Sequence, residues 1–138
     1  RAKKEAASRA EEDKFFAENA KVSGMKSTAE GIQYLIINQA EGPKPKVDDE
    51  VTVHYKGTLL NGKQFDSSYD RNEPLKLSLG QVIQGWQIGI PLMSKGAKYK
   101  FFIPSRLAYG SQAKGEIPAN STLVFEVELI EIGANGTT

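Results

Sequence analysis

The sequence predicts an α+β domain in which an antiparallel sheet of five to six strands wraps around one short helix, with a separate helix preceding it. Three observations carry this. Val51, Val53 and Tyr55 alternate with Thr52, His54 and Lys56, and Leu123, Phe125, Val127 and Leu129 alternate with Val124, Glu126, Glu128 and Ile130. That two-residue period belongs to strands buried on one face. Leu60-Asn61-Gly62-Lys63 sets Asn-Gly between strand-like runs, a tight hairpin signal because both residues tolerate positive φ. Around the single tryptophan, Trp86, lies a helical stretch of only one or two turns.

Taken in order, residues 2–23 hold alanine at 2, 6, 7, 10, 17 and 20, no glycine or proline, and many charges, which is helix composition. Glu5 and Arg9 form a favourable i,i+4 pair, Phe15, Phe16, Ala17 and Ala20 give an apolar stripe, and Gly24 can end the helix. It reads either as a solvated helix anchored by one patch or as the tail of a longer helix that pairs with another chain. We divide the chain into this helix, residues 1–26, and a domain, residues 27–138.

After a turn at 27–30, Ile32 to Ile37 reads as a strand rich in β-formers, and Gly42-Pro43-Lys44-Pro45 as a loop. The strand at 51–55 leads through the hairpin to Gln64-Phe65-Asp66. The polar run from Ser67 to Pro74 is then a surface loop or a bulge interrupting one long strand. Leu75, Leu77 and Leu79 alternate with polar residues up to Gly80, and Ile88, Ile90 and Leu92 follow Trp86 as far as Gly96. Lys98 to Ile103 is a strand stopped by Pro104, Arg106 to Gly110 a turn that presents Tyr109, and 111–120 a loop. No internal repeat is visible.

Composition narrows the function. Residues 1–26 carry 7 Lys/Arg against 5 Asp/Glu, and the remainder 11 against 12, so the domain lacks the field that drives nucleic-acid binding. With no cysteine and one histidine, thiolate chemistry is excluded and a metal cofactor is not expected. No run reaches membrane-spanning length or resembles a signal peptide, and the start at Arg1 suggests a processed protein or excised fragment. Conventional nucleophilic catalysis is poorly supplied. His54 alternates out of phase with Val53 and Tyr55 and is expected to face solvent, while Ser67 and Ser68 read as loop residues bonding backbone. Gly85 and Gly89 lie among apolar residues and make no phosphate loop, and Asp48-Asp49 sit in a charged turn. What remains is a set of aromatics near turns and strand ends: Tyr55, Phe65, Trp86, Tyr109 and Phe125. Each alone suits a core. Together they suggest an apolar cup with a few phenolic hydroxyls, fit for a small, flat-sided ligand with one or two carbonyls to orient.

Val51 to Leu59 followed by Gly62-Lys63-Gln64-Phe65-Asp66-Ser67-Ser68 resembles the FKBP-type peptidyl-prolyl isomerases. So do Gln81 to Trp86, Leu107-Ala108-Tyr109-Gly110, Ile117-Pro118 and Leu123 to Leu129, over about residues 45–132 in register apart from one loop. Phe15-Phe16-Ala17-Glu18-Asn19 and Gly31-Ile32-Gln33-Tyr34 are similar to the bacterial, macrophage-infectivity-potentiator-like branch, which joins such a domain to a long helix and a dimerising module. The resemblance implies the fold described above and cis/trans isomerisation of the bond preceding proline in protein substrates, assisting their folding, without a cofactor. A non-catalytic chaperone or binding module using the same cup is the alternative.

The resemblance also implies roles. Trp86 floors the proline ring; Tyr55, Phe65, Val82, Ile83 and Phe125 form the walls; the Ile83 N–H and the Tyr109 hydroxyl bond substrate carbonyls. Asp66 faces the reacting amide, held by Tyr55 or Arg71, and Ile117 borders the mouth. Catalysis is thus assigned to Asp66, Tyr109 and Tyr55. Two departures concern substrate preference and inhibitor affinity: Leu75 and Leu77 stand where many members have aromatics, and the loop at 111–116 is about one residue short. Macrolides such as rapamycin are still expected to bind, as are proline-containing polypeptides. Nucleic acid is not an expected partner, a homodimer through an upstream region is, and the expected compartment is the cell envelope or periplasm, with the cytoplasm as alternative.

Overall fold

The computed structural model describes residues 12–46, 49–60, 62–70, 72–110, 117 and 121–133. Helix α1 covers residues 12–19. It is followed by β1 (Lys26–Ser27), β2 (Gln33–Asn38), β3 (Glu50–Leu59), β4 (Gln64–Ser67), β5 (Leu75–Ser78), α2 (Gln84–Gly89), β6 (Lys98–Ile103) and β7 (Leu123–Gly133). Three 3-10 turns, Leu79–Gln81, Ile90–Leu92 and Ser105–Leu107, complete the set.

The strands form one seven-stranded sheet in the order β1-β2-β6-β7-β3-β4, with β5 also on β3, and every pairing is antiparallel. The count exceeds the five to six expected for two reasons: β1 is two residues long, below what a pattern reveals, and β4 and β5 are separate. Both pair with β3, β4 opposite Lys56 to Thr58 and β5 opposite Glu50 to Val53, so the polar run between them interrupts one long edge strand.

The hairpin differs by one position from a two-residue turn. Leu59 N–H bonds Lys63 C=O and Gly62 N–H bonds Leu59 C=O, with Gly62 at φ +90°. This is a three-residue connection closed by a left-handed glycine, which the same Asn-Gly pair also serves. Asn61, Arg71, the 111–116 loop and residues 1–11, where the sequence pattern predicts the start of the first helix, lie outside the described residues.

The core lies between the sheet's concave face and α2. β3 buries Val51, Val53, Tyr55 and Leu59, β7 buries Leu123, Phe125, Val127 and Leu129, and β6 buries Tyr99, Phe101 and Ile103. Gly85 and Gly89, four apart on one face of α2, let the helix settle onto β6. A Cβ at Gly85 would stand 2.5 Å from Ile103 Cγ2, and one at Gly89 2.9 Å from Phe101 Cε1. The pair that carries no phosphate chemistry is a packing seam.

The opposite face of the sheet is not left wholly to water. Gln33, Phe102 and Val124 alternate with the concave-facing residues along β2, β6 and β7, and all three are buried. Helix α1 packs on Phe102 and Gln33: Phe15 and Phe102 lie 5.9 Å apart between ring centroids, Asn19 Nδ2 donates to Gln33 Oε1 at 2.8 Å, and Gln33 Nε2 donates to Phe16 C=O at 2.9 Å. The expected stripe holds only in part. Phe15 and Phe16 are half-buried, whereas Ala17 and Ala20 are exposed and the polar Glu12 and Asn19 are buried.

His54 also departs from expectation. It does point away from the concave face, but it is partly buried: Nδ1 shares a 2.8 Å hydrogen bond with Ser68 Oγ, and Tyr69 stacks on the ring at 4.7 Å. Ser68 behaves as read from the sequence, since its Oγ accepts from Tyr55 N–H at 2.7 Å and its N–H bonds Tyr55 C=O.

Candidate functional site

A concave cavity of about 330 Å³ opens beside α2, lined by Tyr55, Phe65, Asp66, Leu75, Leu77, Val82, Ile83, Trp86, Tyr109 and Phe125. Its residues come from four strands, the start of α2 and the turn after Ser105–Leu107, and the sheet register explains how the strand residues meet. Directly paired residues point to the same face, and Tyr34, Phe101, Phe125, Gly57 and Asp66 form one row across β2, β6, β7, β3 and β4. Three aromatics and a glycine thus lead to a carboxylate at the edge. Gly57 is the place in that row where a side chain would obstruct the cup: a Cβ there would lie 2.6 Å from Phe65 Cζ and 2.8 Å from Phe125 Cε1.

The floor is Trp86, in the first turn of α2 and 6% exposed. Its indole stands edge-to-face with Tyr55 at 5.3 Å and with Phe125 at 5.1 Å, and Phe65 meets Phe125 edge-on at 5.6 Å. Such pairs are the preferred arrangement for aromatic quadrupoles and make the walls rigid. Trp86 Nε1 is buried with no hydrogen-bond partner among the described residues. Ile83 is the N-cap of α2 with an extended backbone, and its carbonyl takes the Trp86 and Gln87 N–H groups. Gln87 Nε2 in turn donates to Val82 C=O at 2.7 Å, fixing the approach to the helix.

Polar chemistry is confined to one side. The Tyr55 hydroxyl donates to Asp66 Oδ2, and Asp66 Oδ1 accepts the Ser67 N–H at 2.9 Å. Tyr109 follows the Ser105–Leu107 turn, and burial together with the nearby Asp66 carboxylate pushes its phenol above the ordinary value, so it remains a donor. The result is an apolar cup with one oriented carboxylate and one phenolic O–H.

Of the residues singled out from sequence, Tyr55, Phe65, Asp66, Val82, Ile83, Trp86, Tyr109 and Phe125 are brought together around the cavity. Ile117, expected at the mouth, is buried at 6% exposure within the core cluster and does not line the cavity. Arg71 lies outside the described residues; Tyr55 is one donor to Asp66 among the described residues. Leu75 and Leu77 do line the wall where aromatics were noted as missing. Sequence reasoning passed over Gly57, although a lone glycine inside an alternating strand is itself the signal of a close approach.

The family model for FKBP-type peptidyl-prolyl cis-trans isomerases matches residues 42–130. The chain belongs to this family. A second model, the domain amino-terminal to FKBP-type isomerases, matches residues 1–36. Among curated relatives, an FKBP-type peptidyl-prolyl cis-trans isomerase FkpA from Aeromonas hydrophila is 53% identical over 87% of this chain and 45% of its own length. An FKBP-type 22 kDa isomerase from Escherichia coli is 49% identical over 89% of this chain and 60% of its own. This FKBP chain thus spans about half the length of the curated relatives it matches. The crystal structure of FkpA from Escherichia coli superposes with a TM-score of 0.90 at 43% identity, covering 96% of this chain and 62% of that one. An isomerase structure from Pseudomonas syringae gives 0.87 at 37% identity, covering 93% and 95%. The relatives put the chain in the bacterial branch of the FKBP family.

Proposed function

We propose that this domain accelerates cis/trans rotation about Xaa-Pro bonds in protein chains and so assists their folding. The observation that supports this most is the Trp86-floored cup with polar groups on one side only. The barrier to rotation, about 18–20 kcal/mol, is lost amide resonance, so no nucleophile is required; a site need only favour the twisted amide over the planar one. In this reading the proline ring sits on Trp86 between Tyr55, Phe65, Val82, Ile83 and Phe125. The Ile83 N–H, which belongs to the end of α2 where backbone donors lack helical partners, and the Tyr109 hydroxyl take the flanking carbonyls. Asp66, oriented by Tyr55, faces the reacting amide, with Arg71 as a second holder and Ile117 near the mouth of the cup. Moving the imide into an apolar cup strips the hydrogen bonds that stabilise its planar, charge-separated form.

The test is the slow, proline-limited refolding of an unrelated protein in the presence of substoichiometric amounts of this chain. A faster slow phase that Asp66→Ala abolishes supports isomerase action. Binding to the refolding chain with an unchanged rate supports the alternative, a chaperone that uses the cup only to hold apolar segments.

Rapamycin is proposed as a ligand of the same cup, with Trp86, the single tryptophan, as the reporter: its fluorescence changes on saturable binding. We also keep the division into an N-terminal helix, residues 1–26, and an isomerase domain, residues 27–138, and propose that the helix belongs to a dimerising module. The match of the amino-terminal model to residues 1–36 supports this. Sedimentation of this chain beside a version extended upstream tests it. The envelope or periplasm is the proposed compartment, to which a chain without cysteine is suited, and fractionation of cells making the full-length protein tests that. No helix among the described residues is long and apolar enough to cross a membrane.

A further inference from the structure

We infer that Glu12 positions the turn carrying Tyr109, so that helix α1, on one face of the sheet, sets the polar side of the cup on the other; only the activity readout rests on the isomerase reading. Glu12 is 9% exposed. Its Oε2 accepts the Ser105 N–H at 2.7 Å, its Oε1 accepts the Ser105 hydroxyl at 3.2 Å, and the Thr122 hydroxyl donates to Oε2. A carboxylate taken this far from water is stable only with such donors. All three belong to the ends of neighbouring strands, just past β6 and just before β7, where Ile103 pairs with Leu123.

Ser105 is the keystone of the Tyr109 turn. Its carbonyl accepts the Ala108 N–H at 2.9 Å and the Gly110 N–H at 2.8 Å, the residues on either side of Tyr109. No side chain of the turn's own N-cap, Pro104, satisfies its first N–H groups; Glu12 reaches 93 positions along the chain to do so. Arg106 Nη2 adds a second tether, donating to Glu30 C=O. On the other side Thr122, 4% exposed, stands three residues before Phe125 of the cup wall. Reorientation of α1 would therefore move the anchor of Tyr109 before it moved Trp86, which α2 holds.

The experiment compares wild type, Glu12→Ala and Glu18→Ala, each also in a Tyr109→Phe background, by peptide isomerisation kinetics and by the amide resonances of Ala108 and Gly110. Glu18 is the control, exposed on the same helix and, among the described residues, ion-paired with Lys21 alone. Positioning predicts that Glu12→Ala lowers kcat/KM about three- to tenfold, shifts both amides, and loses most of its effect when Tyr109→Phe is present, while Glu18→Ala changes neither readout. A folded Glu12→Ala within about twofold of wild type overturns the inference, and so does a loss of equal size in both backgrounds. If Glu12→Ala does not fold, Thr122→Val, which removes one donor at nearly constant shape, carries the same comparison. If wild type itself proves inactive, the isomerase reading fails separately and the two amide shifts alone decide the positioning role.

Discussion

The Tyr55 hydroxyl donates to Asp66 Oδ2 across neighbouring strands, Asp66 lying opposite Gly57 and Tyr55 two residues back on the same face of β3. The pairing places the carboxylate at the edge of a largely apolar cavity and holds its Oδ2 on the Tyr55 hydroxyl. Tyr55→Phe keeps the ring against Trp86 and removes only this donor. Hydrogen bonds to charged groups are worth about 1.5–3 kcal/mol, so kcat/KM for an Xaa-Pro peptide falls roughly tenfold or more, as read by exchange kinetics, while the fold persists by circular dichroism.

Gly85→Ala and Gly89→Ala test the helix seat. Each Cβ would meet β6 side chains well inside contact distance, and overpacking a filled core costs about 1–3 kcal/mol. Urea unfolding should show lower midpoints for both variants. Gly85→Ala is the more severe, because its Cβ would lie 2.5 Å from Ile103 against 2.9 Å from Phe101 for Gly89.

Tyr69 gives a pH dependence with a definite sign. Partial burial first, then the charge and hydrogen bond of Glu128 and the charge of Glu126, push its phenol up to about 12. An unfolded tyrosine ionises near 10, so between about pH 10 and 12 the unfolded chain releases a proton that the native one keeps. The contribution is fully present below pH 10 and is lost as pH rises toward 12. Tyr69→Phe removes it, and the variant should lose less stability than wild type between pH 9.5 and 11.5 in paired urea titrations.

Much of this molecule was legible in its pattern. The alternations at 51–55 and 123–130 became β3 and β7, and the polar run after Asp66 became the interruption between β4 and β5. Eight of the site positions named from sequence converge on the cavity because strand register, once set by the alternation, leaves few ways to bring those aromatics together. What stayed hidden depends on contacts between residues far apart in the chain. The two-residue β1 has no period to detect. Helix α1 looked like an apolar stripe at Phe15 to Ala20, yet it docks through Glu12 and Asn19. Buried polar groups carry no compositional signature, since their partners, Ser105, Thr122 and Gln33, lie 14 to 110 residues away.

The isomerase reading is tested most directly by NMR exchange on a short Xaa-Pro peptide without a coupling protease, comparing wild type with an Asp66→Ala, Tyr109→Phe double variant. Uncatalysed exchange takes tens to hundreds of seconds. The account predicts exchange cross-peaks within a second or less for wild type, and their loss for a double variant whose fold is intact. Exchange no faster with folded wild type than with peptide alone would contradict it and leave a proline-binding module on an isomerase fold.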